Sequence, residues 1–251
     1  MYTFPRVIKA IKWFLFGNSS QRRRVKQELV RIFAYWSGGP FIGDDYKIWI
    51  NDKNFINNCI ALSPQNTYSQ ERKYMLREWL RYVKNVKGSL AECGCYQGAS
   101  AFFMASEFPE TPLHLFDSFE GLSRPLDIDK PLRANQLPWE EEFLRTSEDL
   151  LKENLKNFNN INIHKGWIPH RFFDVDNEDF RFIHIDVDLY EPTYESLKFF
   201  YPRLLSGGVI ILDDFGFENC MGAHKAVIDF MKDKPEYIIH SPTGQGIIIK
   251  K

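Results

Sequence analysis

Ser89-Leu90-Ala91-Glu92-Cys93-Gly94-Cys95-Tyr96-Gln97-Gly98-Ala99-Ser100 reads as a strand that enters a tight turn and continues into a helix. In an open α/β sheet, ligands sit beyond the carboxyl ends of the strands, where a turn of this kind lies. Gly94 and Gly98 carry no side chain, so a ligand can approach the backbone closely. Ser100 and the free N–H groups at the helix start can receive a carboxylate or a hydroxyl. The spacing is E-x-G-x-x-x-G rather than the G-x-G-x-x-G of dinucleotide folds, which argues against NAD. The next apolar run ends at Asp117, 25 residues beyond Glu92, an acid suited to hydrogen-bond both hydroxyls of a ribose. Taken in this order, these features predict an adenosine-type ligand. The plain structural reading, two turn glycines and a helix cap, stays open at this point.

Outward from that stretch, short apolar runs alternate with helical patterns. The runs cover 89–94, 112–117, 160–165, 180–187, 207–213, 236–240 and 245–250, and helix periodicity fills 99–107, 143–157, 192–204 and 222–232. Strands alternating with helices predict a mostly parallel sheet covered on both faces. The last two runs, separated by Ser241-Pro242-Thr243-Gly244, predict a hairpin at the sheet edge. Before the sheet, Thr67 and Gln70 fit a capping box ahead of Met75, Leu76, Trp79, Leu80 and Val83 at helical spacing. Residues 37–66 read as irregular. The stretch 122–142, rich in proline and charge, is too long for an ordinary connection and reads as a lid or binding loop.

Composition narrows the function classes. The chain has 251 residues, 44% of them hydrophobic, and a net charge of -1, which gives no global reason to bind nucleic acid. Four cysteines without a second Cys or His pair at zinc spacing fit neither a disulfide scaffold nor a zinc site. No apolar run is long enough to span a bilayer, and no cleavage site follows Trp13-Phe14-Leu15-Phe16. A cytoplasmic protein is the expectation. Charge is nonetheless uneven: residues 1–36 hold Arg6, Lys9, Lys12, Arg22, Arg23, Arg24, Lys26 and Arg31 against Glu28 alone. Arg6, Lys9 and Lys12 recur at helical spacing, with Val7, Ile8, Ile11, Phe14 and Leu15 on another side. Such a helix suits peripheral contact at the inner face of a membrane. It equally suits packing on the domain or on a partner subunit, and a homo-oligomer is expected. Residues 1–66 are therefore read as a basic helical extension and 67–251 as the main domain.

Two further strand ends carry acids. Phe182-Ile183-His184-Ile185-Asp186-Val187-Asp188 alternates so that His184, Asp186 and Asp188 share one side. The run beginning Gly207-Gly208-Val209 ends in Asp213-Asp214. Four carboxylates gathered at neighbouring strand tips repel one another unless a cation neutralises them, and Mg²⁺ favours such oxygen ligands. Helix capping by Asp186 and Asp214 explains one acid at each junction but not two. A D-x-D glycosyltransferase, with Asp186 and Asp188 holding a metal on a diphosphate, leaves the Glu92–Gly98 turn and Asp213-Asp214 without roles. A catalytically silent cofactor-binding scaffold has no need to gather so much like charge.

These residues together resemble the macrocin O-methyltransferase family, S-adenosylmethionine-dependent, Mg²⁺-dependent sugar O-methyltransferases. The resemblance covers about residues 67–251. It rests on Thr67-Tyr-Ser-Gln-Glu71-Arg72, Ala91-Glu-Cys-Gly-Cys-Tyr-Gln-Gly-Ala-Ser100, Asp117-Ser-Phe-Glu-Gly-Leu122 and Gly166-Trp167. Ile185-Asp-Val-Asp-Leu-Tyr-Glu-Pro-Thr193, Tyr201-Pro-Arg-Leu-Leu-Ser-Gly-Gly208 and Asp213-Asp-Phe-Gly216 complete the ordered set. The chain departs from the family by having Gln97-Gly98-Ala99 where paired glycines are usual. The resemblance implies a Rossmann-like class I methyltransferase sheet of seven strands, with the strands ending at Gly94, Asp186 and Asp213 side by side. It implies Asp186, Asp213 and Asp214 as metal ligands and Asp188 as general base. Glu92, Gly94, Gly98, Ser100, Asp117, Ser118, Gly166 and Asp186 are implied as contacts to S-adenosylmethionine. Trp167 is expected beside the adenine, and Thr67, Tyr68 and Ser69 over the methionine end. The acceptor implied is a sugar hydroxyl of a glycan or glycosylated metabolite.

Overall fold

The computed structural model describes residues 4–18, 21–22, 24–26, 29, 47–62, 70–133 and 136–251. The chain divides into two compact units, Met1–Ile56 and Asn57–Lys251. In the first, helix α1 (Phe4–Phe16) leaves Ile8, Ile11, Phe14 and Leu15 exposed, and Lys9 lies 4.7 Å from the Trp13 ring centroid. Helix α2 (Lys53–Leu62) corrects the irregular structure expected there, while residues 37–46 and 63–66 of the expected irregular stretch 37–66 lie outside the described residues. Asp52 accepts a bond from the Phe55 amide at 3.0 Å, and Phe55 and Cys59, four residues apart, are both buried.

The second unit holds the sheet. Its strands are β1 (Ser89–Cys93), β2 (Leu113–Asp117), β3 (Ile161–Lys165), β4 (Phe180–Ile185), β5 (Leu204–Leu212), β6 (Ile239–His240) and β7 (Gly246–Ile249). Their order is β3-β2-β1-β4-β5-β7-β6. The first five pair in parallel, while β7 runs antiparallel to both β5 and β6, so the expected edge hairpin is present. Strand β1 is buried along its whole length, and its central position suits Leu90, Ala91 and Cys93, with Glu92 as a buried polar exception.

Helix α3 (Gln70–Tyr82) buries Leu76 and Leu80 and packs on α4 (Ala99–Glu107). Residue 67 of the expected capping box lies outside the described residues. Helix α5 (Glu148–Asn154) is shorter than the 143–157 expected, because Ser147 caps it by accepting from the Leu150 amide at 3.2 Å. Glu142 and Leu144 ahead of it have left-handed backbones, which a helix cannot contain. Helices α6 (Tyr190–Phe200) and α7 (Met221–Met231) pack on each other. Pro202 falls in the one-turn 3-10 segment Tyr201–Arg203, so α6 stops before the expected 204 and β5 starts at Leu204 rather than 207. Leu197, Phe200, Val227 and Met231 bury against Phe116, Phe180 and Ile210, which forms the core under this side of the sheet.

Candidate active site

The turn after β1 is built by two glycines used differently. Gly94 has φ +80°, and a Cβ there would lie 1.8 Å from the Asp186 carbonyl oxygen. Its bareness therefore lets the tips of β1 and β4 touch. Gly98 (φ +86°) precedes α4, and a Cβ on it would meet Leu151 Cδ1 at 2.6 Å. Gly98 serves helix packing and does not border the cavity, unlike the direct ligand approach expected. Asp117 Oδ2 accepts from the amides of Cys95 and Tyr96 at 2.8 and 2.9 Å, which ties the β2 tip to the β1 turn. Its Oδ1 accepts from the Phe119 amide at 2.7 Å. Ser100, in the first turn of α4, takes a bond from Lys73 Nζ at 2.5 Å.

Behind the turn lies a buried polar chain. Glu92 and His184 face each other across the β1–β4 pairing, with Oε1 and Nδ1 2.9 Å apart. His184 Nε2 lies 3.2 Å from Asp213 Oδ1, which also accepts from Gln245 Nε2 at 2.7 Å, and Arg72 donates to Asp213 Oδ2. Burial alone would lower the His184 pKa, but Asp213 and Glu92 raise it to about 9, so the ring is an imidazolium. Burial alone would raise the Asp213 pKa, yet Arg72 and His184 hold it well below the usual carboxylate range. Glu92 Oε2 is buried without a partner.

At the other three acids burial and neighbouring carboxylates outweigh the positive groups nearby. Burial and then Asp213 push Asp186 up to about 6. Burial and then Asp186 push Asp188 up to about 7. Burial and then Asp188 push Asp214 well above the ordinary value. Asp188 has φ +60°, because the strand ends at Ile185 rather than at the expected 187, so the alternation read across Asp186 and Asp188 breaks there. Asp214 Oδ2 accepts from the Asp188 amide at 2.9 Å. The residues at the N-cap positions of α6 and α7 are Leu189 and Cys220, neither of which caps with its side chain, and the side chain that accepts from the first amide of α6 is Asp129, so capping does not account for Asp186 and Asp214. Among the described residues, atoms able to hold a metal form two groups, each within 4.8 Å: His184, Asp186, Asp213 and Asp188, Asp214, Cys220. The trio Asp186, Asp213 and Asp214 is thus divided between them.

A cavity of about 530 Å³ gathers most of the expected site. Glu92, Gly94 and Ser100 border it from the β1 turn, Asp117 and Ser118 from the β2 tip, and Gly166 and Trp167 from the segment after β3. Asp186, Asp188 and Asp214 border it as well, while Asp213 does not. Thr67, Tyr68 and Ser69 lie outside the described residues. The long segment 122–142 contributes Leu122, Ser123 and Trp139 to the wall. Arg72, Lys73, His184 and Gln245 were not singled out by sequence reasoning. His184 shared a strand face with the acids and gave a signal; Gln245, in the hairpin, gave none.

A Rossmann-like sheet with this strand order and one reversed strand, opening at its tips into an acid-lined cavity, is that of the class I methyltransferases. Residues 67–239 match the family described as Macrocin-O-methyltransferase (TylF), and the chain belongs to that family. It is 26% identical over 144 residues to demethyldecarbamoylnovobiocin O-methyltransferase of Streptomyces niveus, covering 52% of this chain and 54% of the relative. It is also 26% identical over 151 residues to the 8-demethyl-8-(2,3-dimethoxy-alpha-L-rhamnosyl)-tetracenomycin-C 4'-O-methyltransferase of Streptomyces olivaceus, covering 55% and 57%. The chain thus spans little more than half the length of these curated relatives. The crystal structure of CalS11, a calicheamicin methyltransferase, superposes with a TM-score of 0.61 at 16% identity, over 82% of this chain and 98% of that one.

Proposed function

We propose that this protein transfers a methyl group from S-adenosylmethionine to a sugar hydroxyl of a glycan or glycosylated metabolite. The observation that carries the reading is one cavity bordered by Glu92 and Asp117 at one part and by Asp186, Asp188 and Asp214 at another. Family membership supports it, and so does the rhamnosyl acceptor named for the Streptomyces olivaceus relative. Asp117 would hold the ribose hydroxyls, exchanging its backbone partners for them, and Trp167 would flank the adenine. Glu92, Gly94 and Ser100 would bind around the methionine end.

In the reaction the acceptor oxygen displaces the methyl carbon from sulfur in line. The C–S bond breaks as the O–C bond forms, and the sulfonium becomes the neutral thioether of S-adenosylhomocysteine. The hydroxyl proton passes to the carboxylate of Asp188. Burial and the neighbouring acids bring that group near neutrality, where a general base works best. Much of the acceleration comes from alignment of two bound substrates.

The donor set fits a hard divalent cation. Asp186, Asp188 and Asp214 offer buried oxygens whose mutual repulsion and burial outweigh the nearby His184, Lys73 and Arg72. Asp186 and Asp214, with Asp213, would hold Mg²⁺. A bound ion there would supply charge that stabilises the alkoxide developing on the acceptor. Helix α1 adds a proposed contact with an anionic membrane surface.

Calorimetry tests the reading directly. S-adenosylhomocysteine should bind, and a nucleoside diphosphate with Mg²⁺ should not. The reverse pattern would favour the glycosyltransferase reading of Asp186 and Asp188.

A further inference from the structure

We propose that Arg72 is an internal cation that competes with a divalent metal ion for Asp213 and so sets the ion's affinity. The inference rests on the metal reading above. Arg72 is the third residue of α3, and its guanidinium donates to Asp213 Oδ2. The other oxygen, Oδ1, is already shared by His184 Nε2 and Gln245 Nε2. The capacity left on Asp213 is therefore at Oδ2, beside the Arg72 bond. Burial agrees: the Asp213 side chain is 1% exposed and does not border the cavity, whereas Arg72 is 23% exposed and does.

An N–H donor and a metal ion cannot share one lone pair. A Mg²⁺–oxygen contact is about 2.0–2.1 Å, and a guanidinium bonded to the same lone pair occupies that space. A metal ion on Asp213 Oδ2 must therefore displace the Arg72 bond or sit beside a second cation that repels it, and either lowers its affinity. In the same position the Arg72 guanidinium lies 5.2 Å from the centroid of Phe217, another cavity residue. Lys73, the next residue, behaves differently: it bonds Ser100, not an acid, so Arg72 alone of the two occupies a ligand. Asp186, Asp188 and Asp214 bond to no described cation, which leaves Asp213 as the contested member of the set.

Mn²⁺ alone is the probe, titrated by calorimetry and electron paramagnetic resonance into the full chain. Arg72→Gln should bind Mn²⁺ about tenfold tighter or more than the wild type, the factor expected when a charge-assisted hydrogen bond no longer competes. Lys73→Gln removes an equal charge nearby without touching Asp213 and should change the affinity far less. Equal gains in both variants would overturn the proposal, because they would report only the general field. Equal affinity in the wild type and Arg72→Gln would overturn it while leaving the metal reading intact. Absence of Mn²⁺ binding in both would overturn the metal reading and this inference together. If Arg72→Gln fails to fold, Arg72→Lys carries the test: its single ammonium grips Asp213 less firmly, and an unchanged affinity overturns the proposal.

Discussion

Asp188 is held in a left-handed backbone at φ +60°, with its amide fixed to Asp214 and Cys220 Sγ 3.7 Å from its Oδ1. Left-handed residues other than glycine cost roughly 1–3 kcal/mol and persist where the surroundings enforce them. Asparagine tolerates that conformation as aspartate does. Asp188→Asn should therefore keep the fold and the affinity for S-adenosylhomocysteine while lowering turnover by about 10²–10⁴-fold, the usual worth of a general base. Turnover within a few fold of the wild type would show that the base is assigned wrongly. Gly94→Ala tests the opposite kind of residue, one whose lack of atoms matters. Its new Cβ would sit 1.8 Å from the Asp186 carbonyl, so β1 and β4 must separate. The variant should melt at lower temperature and lose measurable binding of S-adenosylhomocysteine in calorimetry. Acids at strand ends were legible because the carboxyl ends of parallel strands lie at one edge of the sheet, although the alternation read across Asp186 and Asp188 did not hold. Arg72 and Gln245 were not, because their contacts with Asp213 span 141 and 32 residues of sequence and obey no local period.

Elements divide the same way between local and distant causes. Strands β1, β2, β4 and the inner part of β5 were readable since strands buried on both faces are mainly apolar, with Glu92, His114 and His184 as interruptions. The shortfall of α5 came from a cap at Ser147, which outweighs continued apolar periodicity upstream. The length of segment 122–142 marked it as more than an ordinary connection, and Leu122, Ser123 and Trp139 do line the cavity, yet how it is held was hidden. Asp129 is buried and accepts from the Leu126 amide at 2.8 Å and from the Tyr190 amide, at the start of α6, at 2.7 Å. Leu122 and Glu142 bond each other's neighbourhood at the base, with Glu142 N to Leu122 O at 2.9 Å. Asp129→Ala strands two amides, each worth about 1–3 kcal/mol when buried unpaired. Limited proteolysis should then cut within 122–142 several-fold faster than in the wild type. An unchanged cleavage rate would show that Asp129 does not anchor the segment.

The mostly parallel character of the sheet followed from strands alternating with helices, and the edge hairpin followed from one four-residue turn, whereas the placing of β1, β4 and β5 side by side came from the family resemblance. What composition left open was the use of the basic arm, because an amphipathic helix is equally suited to protein and to lipid. Among the described residues no helix is long and apolar enough to cross a membrane, so any membrane contact by α1 is interfacial. Residues 1–36 carry seven more positive than negative charges in a chain whose net charge is -1. A basic side chain near an anionic surface contributes about 1 kcal/mol, and salt screens that attraction within about 8 Å at physiological strength. Exposed Ile11 and Leu15 would add apolar burial that salt does not weaken. The full chain should therefore sediment with vesicles of phosphatidylcholine and phosphatidylglycerol, bind pure phosphatidylcholine vesicles weakly, and lose part of its binding at high salt. Lys9→Glu with Lys12→Glu should reduce binding to the anionic vesicles, and Ile11→Asp with Leu15→Asp should remove the salt-resistant part. Sedimentation that ignores lipid charge, or that survives both pairs of substitutions, would turn the arm back into a surface for packing against protein.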